Sequence, residues 1–310
     1  MLMDIIWLFI GGGLIYVGAE WLVWGGSRLA QKFHVAPIVI GLSVVAFGTS
    51  LPEFTVSLYA AVNDVQDIAI GNVLGSNIAN VALILASSAL IFPVAARYSE
   101  VRDDVLLVIG ITVFFVLLAL DGVLSRVDGI LMSAGMVYYL WRLATSKRVE
   151  TAIADGTHSA YRFAAALVAG LVLLVWGTSR FTESAIDIAR LFGIPELVIG
   201  ATIVAVGTSL PELATSMVAA FRKQSGIVLG NILGSNVFNL LAVLGTISIY
   251  KPMEVARQAI IVQIPLMLLL TVILLPALKY QGGIKRGLAL ALLLVYVAFT
   301  LFVYMNGDSA

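Results

Sequence analysis

The amino-acid sequence predicts an all-α membrane protein of about ten transmembrane helices, arranged as two inverted-topology repeats of five helices each. Three observations predict this architecture: the composition, a long internal repeat, and the distribution of basic residues. Hydrophobic residues make up 61% of the 310 residues and charged residues 12%, and the mean hydropathy is +1.05. Soluble domains carry about 25% charged residues, so the composition indicates an integral membrane protein.

The internal repeat aligns residues 41–80 with residues 200–239 at a constant offset of 159, with 20 identities in 40 positions. Each copy contains A-x-G-T-S-L-P-E (the carboxylate motif, residues 46–53 and 205–212) and then G-N-x-L-G-S-N-x-x-N (the amide motif, residues 71–80 and 230–239). Duplication inside apolar sequence is typical of transporters whose substrate site lies at the interface between repeats.

Apolar runs separated by charged residues, Pro or Gly give ten candidate spans, each near the ~20 residues that a bilayer requires. They cover residues 4–27, 36–62, 68–92, 104–121, 127–145, 161–181, 195–221, 226–250, 257–279 and 285–305. We therefore predict a first five-helix repeat at 1–145, a cytoplasmic connecting loop at 146–160 and a second repeat at 161–310, intertwined as one membrane domain.

Five spans is an odd number, so the second repeat must enter the bilayer from the opposite side, as in many inverted-repeat transporters. Basic residues concentrate on cytoplasmic connections, and an outside N-terminus places thirteen of the 18 Lys and Arg residues inside. The five outer ones are Arg126, Arg180, Arg190, Lys251 and Arg257. We expect a multi-pass protein of the cell inner membrane or plasma membrane with both termini extracytoplasmic.

Composition also excludes several classes of function. Net charge is zero, which argues against a nucleic-acid partner. The chain has no cysteine, so disulfides and thiolate metal sites are excluded. The N-terminal residues MLMDIIWLFIGGG lack a basic n-region and a cleavage site, so we interpret them as the first span. Both histidines fall in predicted loops, and we expect no enzyme.

The carboxylate motif places one glutamate, Glu53 or Glu212, in the middle of each span. Pro52 and Pro211 lack a backbone N–H and disrupt the preceding helical turn, which predicts a break in each span. Irregular backbone persists at this depth only beside protein or a watery cavity, and a buried carboxylate indicates an ion pathway. A capping box that restarts the helix is the alternative, although capping alone would not require a buried carboxylate in both copies.

The amide motif forms a polar stripe of Asn and Ser at four-residue spacing on one helix face. We expect the side chains of four residues to face the carboxylates: Ser76, Asn80, Ser235 and Asn239. Hydrogen bonding between helices, the usual role of Asn and Ser in membranes, remains an equal alternative for Asn72, Asn77, Asn231 and Asn236. Glycines permit close helix approach at Gly71, Gly75, Gly230 and Gly234.

Carboxylates, hydroxyls, amides and carbonyls without sulfur or imidazole form a donor set that suits hard cations such as Ca²⁺. Two ionised glutamates carry a charge of −2. One Ca²⁺ or two Na⁺ would neutralise the site and three Na⁺ would leave +1, and the sequence leaves both Na⁺ counts open.

With these two motifs, duplicated at one offset, the chain resembles the sodium/calcium exchanger family of the cation/calcium exchanger superfamily. The resemblance implies that Glu53 and Glu212 are central carboxylates shared by Ca²⁺ and Na⁺, and that Asn80 and Asn239 occupy central amide positions. It further implies Ca²⁺ ligands at the carbonyls of Thr49 and Thr208. Na⁺ ligands would be the hydroxyls of Ser50, Ser209, Ser76 and Ser235 and the carbonyls of Ala46 and Ala205.

Some microbial members carry Asp where this chain has Asn239, which removes one ionisable group from the site. Proton-coupled relatives usually carry a second glutamate in place of the G-S-N segment, and its absence favours Na⁺ over H⁺ as the driving ion. No large regulatory insert follows the fifth span, so the resemblance is to prokaryotic members without a regulatory domain. Glu20 has Ser179 as its repeat equivalent, and an interfacial or helix-pairing role is favoured there over the ion path.

The function predicted from these features is Na⁺-driven Ca²⁺ antiport by alternating access, with the first and sixth spans as the sliding gate of the family. No cofactor is expected; the ligands are the transported Na⁺ and Ca²⁺, and the surroundings are the lipid bilayer. A monomer suffices for this mechanism. The alternatives are a K⁺-assisted or H⁺-coupled exchanger and, from another class, a cation channel.

Overall fold

The computed structural model describes residues 2–145, 160–194, 203 and 205–306, and they are predominantly helical. The helices are α1 Leu2–Lys32, α2 Pro37–Thr49, α3 Leu51–Val62, α4 Gln66–Ile91, α5 Tyr98–Ala119, α6 Arg126–Thr145, α7 Ala160–Leu191, α8 Ala205–Thr208, α9 Leu210–Phe221, α10 Ser225–Tyr250, α11 Ala259–Gln281 and α12 Arg286–Asn306. Four two-residue strands, β1 Val94–Ala95, β2 Val123–Leu124, β3 Met253–Glu254 and β4 Gly283–Ile284, were not predicted from the sequence.

Six described helices are long and apolar enough to cross a membrane, namely α1, α4, α7, α10, α11 and α12, and the bent pair α2–α3 makes up to seven. The prediction of a helical, multi-pass membrane protein is therefore confirmed, whereas the count of ten spans stays a prediction. Helices α5 and α6 are not among these six, and both carry several charged residues. Those of α5 include Arg102, Asp103 and Asp104, and those of α6 are Arg126, Asp128 and Arg142. The predicted seventh span, 195–221, lies partly outside the described residues.

The two copies of the repeat form the same local structure at the same offset. Helices α3 and α4 begin at residues 51 and 66, and α9 and α10 begin at 210 and 225, each 159 residues later. Strand β3 likewise begins 159 residues after β1. The sequence repeat is thus also a repeat of secondary structure.

The structure contains two compact units, each built from stretches of both sequence halves. The first unit comprises residues 1–56 and 139–235, and the second unit comprises residues 57–138 and 236–310. The division predicted at residues 146–160 follows the sequence repeat instead, and it stays a prediction. All but the last of those connecting residues lie outside the described part of the chain.

In the first unit, α1 and α7 pack along their length through backbone contacts. A Cβ atom added to Gly18 would lie 2.6 Å from the backbone nitrogen of Leu174, and one added to Gly170 would lie 2.6 Å from that of Leu22. These contacts exclude any side chain, so the pair is held by close helix approach, as is common in membranes. Helix α1 has 31 residues, about 47 Å at 1.5 Å per residue, which exceeds a hydrocarbon core of about 30 Å and favours tilt.

In the second unit, α11 packs against α5 and α12 packs against α4. Two antiparallel strand pairs connect the helix ends: β1 pairs with β4, with Val94 opposite Ile284, and β2 pairs with β3, with Leu124 opposite Met253. Each pair joins one strand from each half of the sequence, so the unit is closed by backbone hydrogen bonds between the halves.

Candidate functional site

The helix break predicted in the carboxylate motif is present in the first copy as a bend of 43° between α2 and α3. Ser50, between the two helices, has φ −81° and ψ 4°, in the sparsely allowed bridge region. Ser209, between α8 and α9, has nearly the same geometry, with φ −92° and ψ 7°. Because Pro52 has no N–H, the carbonyl of Gly48 loses its helical donor, and the second copy repeats the arrangement with Pro211.

Both predicted carboxylates are fully buried in the first unit, in the first turn of the restarted helices. Ser209 Oγ donates a hydrogen bond to Glu53 Oε1 at 3.0 Å, and Ser50 Oγ donates to Glu212 Oε1 at 3.2 Å. Each copy of the motif therefore supplies the hydroxyl that contacts the carboxylate of the other copy. The structure brings the two breaks together, as the sequence analysis predicted.

Two further predicted residues complete this group on the Glu212 side. Ser235 Oγ donates to Glu212 Oε1 at 3.5 Å and lies 3.4 Å from Thr49 Oγ1. Helix α10 reaches this position because Gly230 and Gly234 press against α2, where a Cβ on Gly234 would lie 2.8 Å from the Leu42 carbonyl oxygen. We call Glu53, Glu212, Ser50, Ser209, Thr49 and Ser235 the carboxylate cluster.

Asn231 supports the carboxylate cluster, although its role was left open by the sequence. Its Nδ2 donates to Ser216 Oγ at 3.0 Å and to the Glu212 carbonyl at 3.4 Å, and its Oδ1 accepts from Thr49 Oγ1 at 3.1 Å. In the second unit the repeat equivalents, Asn72 and Ser57, make the corresponding bond at 2.9 Å. The repeated 15-residue spacing between Ser and Asn was the sequence signal for this pair.

The carboxylate cluster is buried, and both of its glutamates are 0% exposed. Glu212 Oε2 has no hydrogen-bond donor within the described part of the chain, although it is buried. A carboxylate oxygen in this position is costly unless a cation or donor reaches it. The cluster therefore has the chemistry of a cation site, with hydroxyl and carboxylate oxygens around a double negative charge.

Asn80 and Asn239 belong to the second unit, where a reciprocal set of hydrogen bonds holds them. Asn80 Nδ2 donates to Asn236 Oδ1 at 2.9 Å, and Asn239 Nδ2 donates to Asn77 Oδ1 at 3.0 Å. We call these four residues the amide cluster. Their pairing leaves the Oδ1 atoms of Asn80 and Asn239 buried and without a donor among the described residues.

The amide cluster lies where α4 and α10 widen into π-helical turns, Asn80–Leu85 and Phe238–Leu244. A π turn shifts the helix face by adding a residue, and such turns are frequent at functional sites. The sequence predicts uninterrupted spans here, because no propensity signal identifies a single widened turn inside an apolar segment.

The remaining predicted site residues are placed as follows. Thr208 is buried at the end of α8, and Ser76 is buried in α4 of the second unit. The Ala46 carbonyl accepts from the N–H of Ser50 at 3.0 Å and from Thr49 Oγ1 at 3.3 Å. Ala205 begins α8, and its side chain lies outside the described part.

Glu20 has a partner that the sequence did not reveal. Arg222, which follows α9, donates from Nη2 to Glu20 Oε2 at 2.7 Å and from Nε to the same oxygen at 3.1 Å. Tyr16 Oη adds a bond to Glu20 Oε1 at 3.3 Å. The pairing role preferred for Glu20 from sequence agrees with this geometry, but the partner lies 202 residues away and carries no repeat signal.

Comparison with known proteins identifies the family of the chain. The family model described as "Sodium/calcium exchanger protein" matches residues 3–144 and 162–305. The chain belongs to the sodium/calcium exchanger family. It is therefore a membrane transporter of inorganic cations and not an enzyme.

Relatives of this exchanger cover most of its length. It is 37% identical over 265 residues to the putative antiporter CaxA of Alkalimonas amylolytica, covering 81% of this chain and 82% of CaxA. It is 31% identical to the sodium/calcium exchanger MaX1 of Methanosarcina acetivorans, covering 94% of this chain and 96% of MaX1. A structure of the sodium-calcium exchanger NCX_Mj, soaked with Na⁺ and Sr²⁺, aligns with a TM-score of 0.87 at 32% identity, covering 96% of this chain and 97% of that one.

Proposed function

We propose that this exchanger moves Ca²⁺ across the cell membrane in return for Na⁺, by alternating access, and that the carboxylate cluster is its ion site. The observation that carries the proposal is the reciprocal pairing of Ser209 with Glu53 and of Ser50 with Glu212. Such pairing brings one carboxylate from each repeat into a single buried group that contains only oxygen ligands.

The charge of this group matches the proposed ions. Glu53 and Glu212, when ionised, carry −2, so one Ca²⁺ neutralises them. Ca²⁺ takes six to eight oxygens in flexible geometry, and the proposed shell adds the carbonyls of Thr49 and Thr208. Na⁺ is also a hard cation but carries half the charge, so at least two Na⁺ are required for the same neutralisation.

Shared ligands explain why the movement would be an exchange. If Na⁺ and Ca²⁺ use the same two carboxylates, each site state holds one kind of ion and excludes the other. The hydroxyls of Ser50, Ser209 and Ser235 donate to carboxylates, and their oxygen lone pairs face the same cluster as potential Na⁺ ligands. Ser76, Asn80, Asn239 and the carbonyls of Ala46 and Ala205 complete the proposed ligand set.

The proposed architecture has ten spans in two inverted repeats, 1–145 and 161–310, joined by a cytoplasmic segment, with both termini outside. The equal offset between α3–α4 and α9–α10 supports it, as does the surplus of basic residues on the connections assigned to the cytoplasm. We place the exchanger in the cell inner membrane or plasma membrane, with a monomer sufficient for transport.

The proposed gate is the helix pair α1 and α7 of the first unit. Their backbones touch at Gly18 and Gly170, so the two helices would move as one body. The hydrocarbon core is about 30 Å thick, and both helices are longer than this. A movement of this pair along α2 and α9 would expose the carboxylate cluster to one side of the membrane and then to the other.

Uptake of radioactive Ca²⁺ into proteoliposomes tests the proposal. Vesicles loaded with Na⁺ and diluted into Na⁺-free medium should accumulate Ca²⁺, and those without a Na⁺ gradient should not. Glu212→Gln should abolish uptake, whereas Glu183→Gln, at an exposed carboxylate paired with Arg180, is the matched control. Uptake that ignores the Na⁺ gradient, or that persists in Glu212→Gln, would refute the proposal.

The same vesicles separate the alternatives. A requirement for K⁺ on the Na⁺ side would indicate a K⁺-assisted exchanger. Uptake driven by a pH gradient without Na⁺ would indicate H⁺ coupling. Single-channel currents in planar bilayers would indicate a channel.

A further inference from the structure

A groove of about 980 Å³ lies in the first unit, apart from the carboxylate cluster. It runs along α1 from Tyr16 to Gln31 and is closed on its other side by the first turns of α7 and by the turn after α9. Neither the exchange proposal nor the family comparison assigns a role to it.

The lining of the groove carries net positive charge. Arg28, Arg162 and Arg222 line it, and Glu20 is the acidic residue among its lining residues. Gly25 of α1 lies against Phe163 and Leu167 of α7, so Arg28 and Arg162 belong to the same end of the groove. Three arginines against one glutamate leave +2. Arg28 donates to the neutral side chain of Gln31 at 3.3 Å, so this contact leaves its charge uncompensated. The end of the groove is suited to an anion.

Glu20 does not oppose an anion at this end, because Arg222 and Tyr16 already bind its carboxylate. The hydrogen bond and the negative charge of Glu20 raise the pKa of Arg222 above its ordinary value, so this guanidinium stays protonated. The pair holds Arg222 in place as one wall, while Arg28 and Arg162 remain to meet a ligand. The two positive charges are thus on α1 and α7.

Beyond the two arginines, the α7 wall of the groove is apolar. Ala165, Ala166 and Ala169 form its floor on α7, where their short side chains leave space beside α1. Trp21 and Trp24 line the α1 side and are 47% and 40% exposed. Trp24 meets the Phe163 ring edge to face, with centroids 5.4 Å apart, which fixes the wall near the arginines.

We propose that this groove binds an anionic phospholipid, with the phosphate between Arg28 and Arg162 and an acyl chain along the alanine floor. Charge complementarity favours an anionic head group. A small soluble phosphate would leave the apolar wall beyond the arginines uncovered, whereas an acyl chain would cover it. Aromatic rings at the edge of the hydrocarbon are typical of membrane interfaces. The positive charge also argues against cations as the occupant. The proposed orientation assigns the groove to the cytoplasmic leaflet. The proposed lipid binding itself does not depend on that orientation.

Fluorescence quenching by brominated lipids tests this binding. In a variant with Trp7→Phe, Trp141→Phe and Trp176→Phe, the remaining tryptophans are the two that line the groove. Brominated phosphatidylglycerol should reach half-maximal quenching at a mole fraction at least about threefold lower than brominated phosphatidylcholine, because basic residues near the membrane surface attract anionic lipid. Adding Arg28→Gln and Arg162→Gln should remove this preference.

Three controls make the result decisive. Arg97→Gln removes an exposed arginine outside the groove and should leave the preference intact. Arg28→Lys with Arg162→Lys should retain it, because charge is kept, and this pair also distinguishes lost binding from misfolding. Ala166→Leu should weaken the preference by filling the floor while the arginines remain.

Four outcomes would overturn the proposal. Equal quenching by the two lipids, or a preference that persists in the double Gln variant, would exclude an anionic head-group site. Displacement of brominated phosphatidylglycerol by soluble glycerol phosphate would assign the groove to a free phosphate. If the double Gln variant altered Ca²⁺ uptake in purely zwitterionic vesicles with unchanged quenching, the groove would serve cations. Because quenching is measured without a Na⁺ gradient, it stands or falls separately from the exchange activity.

Discussion

The carboxylate cluster of the first unit and the amide cluster of the second unit are built by the same rule with different charge. In the first, Ser50 and Ser209 each donate to the glutamate of the other repeat. In the second, Asn80 and Asn239 each donate to an asparagine of the other repeat. Two-fold related copies make such reciprocal contacts, as subunits do across a symmetric interface.

The two clusters differ in charge. Under the proposed function, the carboxylate cluster supplies the negative charge that sets how many positive charges are bound. The amide cluster is neutral, and its bonds orient two buried carbonyl oxygens, the Oδ1 atoms of Asn80 and Asn239. We therefore expect substitutions in the first cluster to change whether ions bind, and those in the second to change which ions bind.

The largest effect is expected from Glu53→Gln or Glu212→Gln, singly. Each should lower Ca²⁺ and Na⁺ affinity by more than about 100-fold, because a hydrogen-bonded buried charge is lost. Each should also raise the thermal stability of the ion-free protein, since a costly buried carboxylate is removed. Thermal unfolding with and without Ca²⁺ measures both, with Glu183→Gln as the control. A variant that keeps Ca²⁺-dependent stabilisation would contradict the assignment.

The next largest effect is expected from Ser50→Ala and Ser209→Ala. Both hydroxyls are proposed Na⁺ ligands, and a polar contact with a charged group contributes about 1.5–3 kcal/mol. Na⁺ affinity, measured by Na⁺ competition with Ca²⁺ uptake, should therefore fall roughly tenfold or more, and Ca²⁺ affinity should change less. The two variants should be alike, because their bonds are equivalent across the repeat. Ser125 donates a hydrogen bond to Asp128 outside the carboxylate cluster, so Ser125→Ala is the control for a lost serine–carboxylate bond. A large effect in one variant alone would show that the two copies are not functionally equivalent.

Asn239→Asp places a carboxylate in the amide cluster, in addition to the two of the carboxylate cluster. It therefore reduces the difference in charge between the two clusters. At low pH the new group is protonated and the variant should resemble the parent; at high pH it is ionised and ion preference should diverge. We expect the ratio of Ca²⁺ uptake at pH 8 to that at pH 6 to change by about fivefold relative to the parent, less than 1 kcal/mol in free energy. Asn80→Asp should act in the same direction, and identical pH profiles for parent and variant would contradict the prediction.

The smallest effect is expected from Asn77→Ala and Asn236→Ala, which orient the amide cluster. A neutral hydrogen bond contributes about 0.5–1.5 kcal/mol, so Ca²⁺ affinity should fall only about threefold. Asn63→Ala, at an exposed asparagine bonded to the Tyr59 carbonyl, is the matched control. A loss as large as that of the glutamate variants would mean that these residues bind the ion themselves.

Much of the site could be predicted because duplication made its signal visible in one sequence. The proline at 52 and 211 predicts the break, and a glutamate at the same offset identifies the buried pair. Close approach was expected at all four glycines of the amide motif, and two of them show it. Gly230 and Gly234 touch α2, whereas a Cβ added to Gly71 or Gly75 would meet no atom within 4 Å in the described part of the chain. Close approach depends on what packs opposite, which sequence does not contain.

Features without a repeat signal escaped prediction. The pair of Glu20 with Arg222 has Ser179 and Asn63 as repeat equivalents, so symmetry argued against a charge pair. The buried hydroxyl of Tyr139 donates to the Leu42 carbonyl at 2.9 Å, and no motif in the sequence marks this bond. Widened turns at Asn80 and Asn239 and the two-residue strands arise from tertiary packing, which local propensity does not encode.

The most direct test of the central claim is a crystal structure of the protein soaked in Sr²⁺ and then in high Na⁺, with anomalous scattering used to locate the divalent ion. The account predicts one Sr²⁺ peak within bonding distance of both the Glu53 and the Glu212 carboxylates, lost when Na⁺ replaces it. A peak remote from these carboxylates, or one that persists at saturating Na⁺, would contradict the claim that the two ions share this pair.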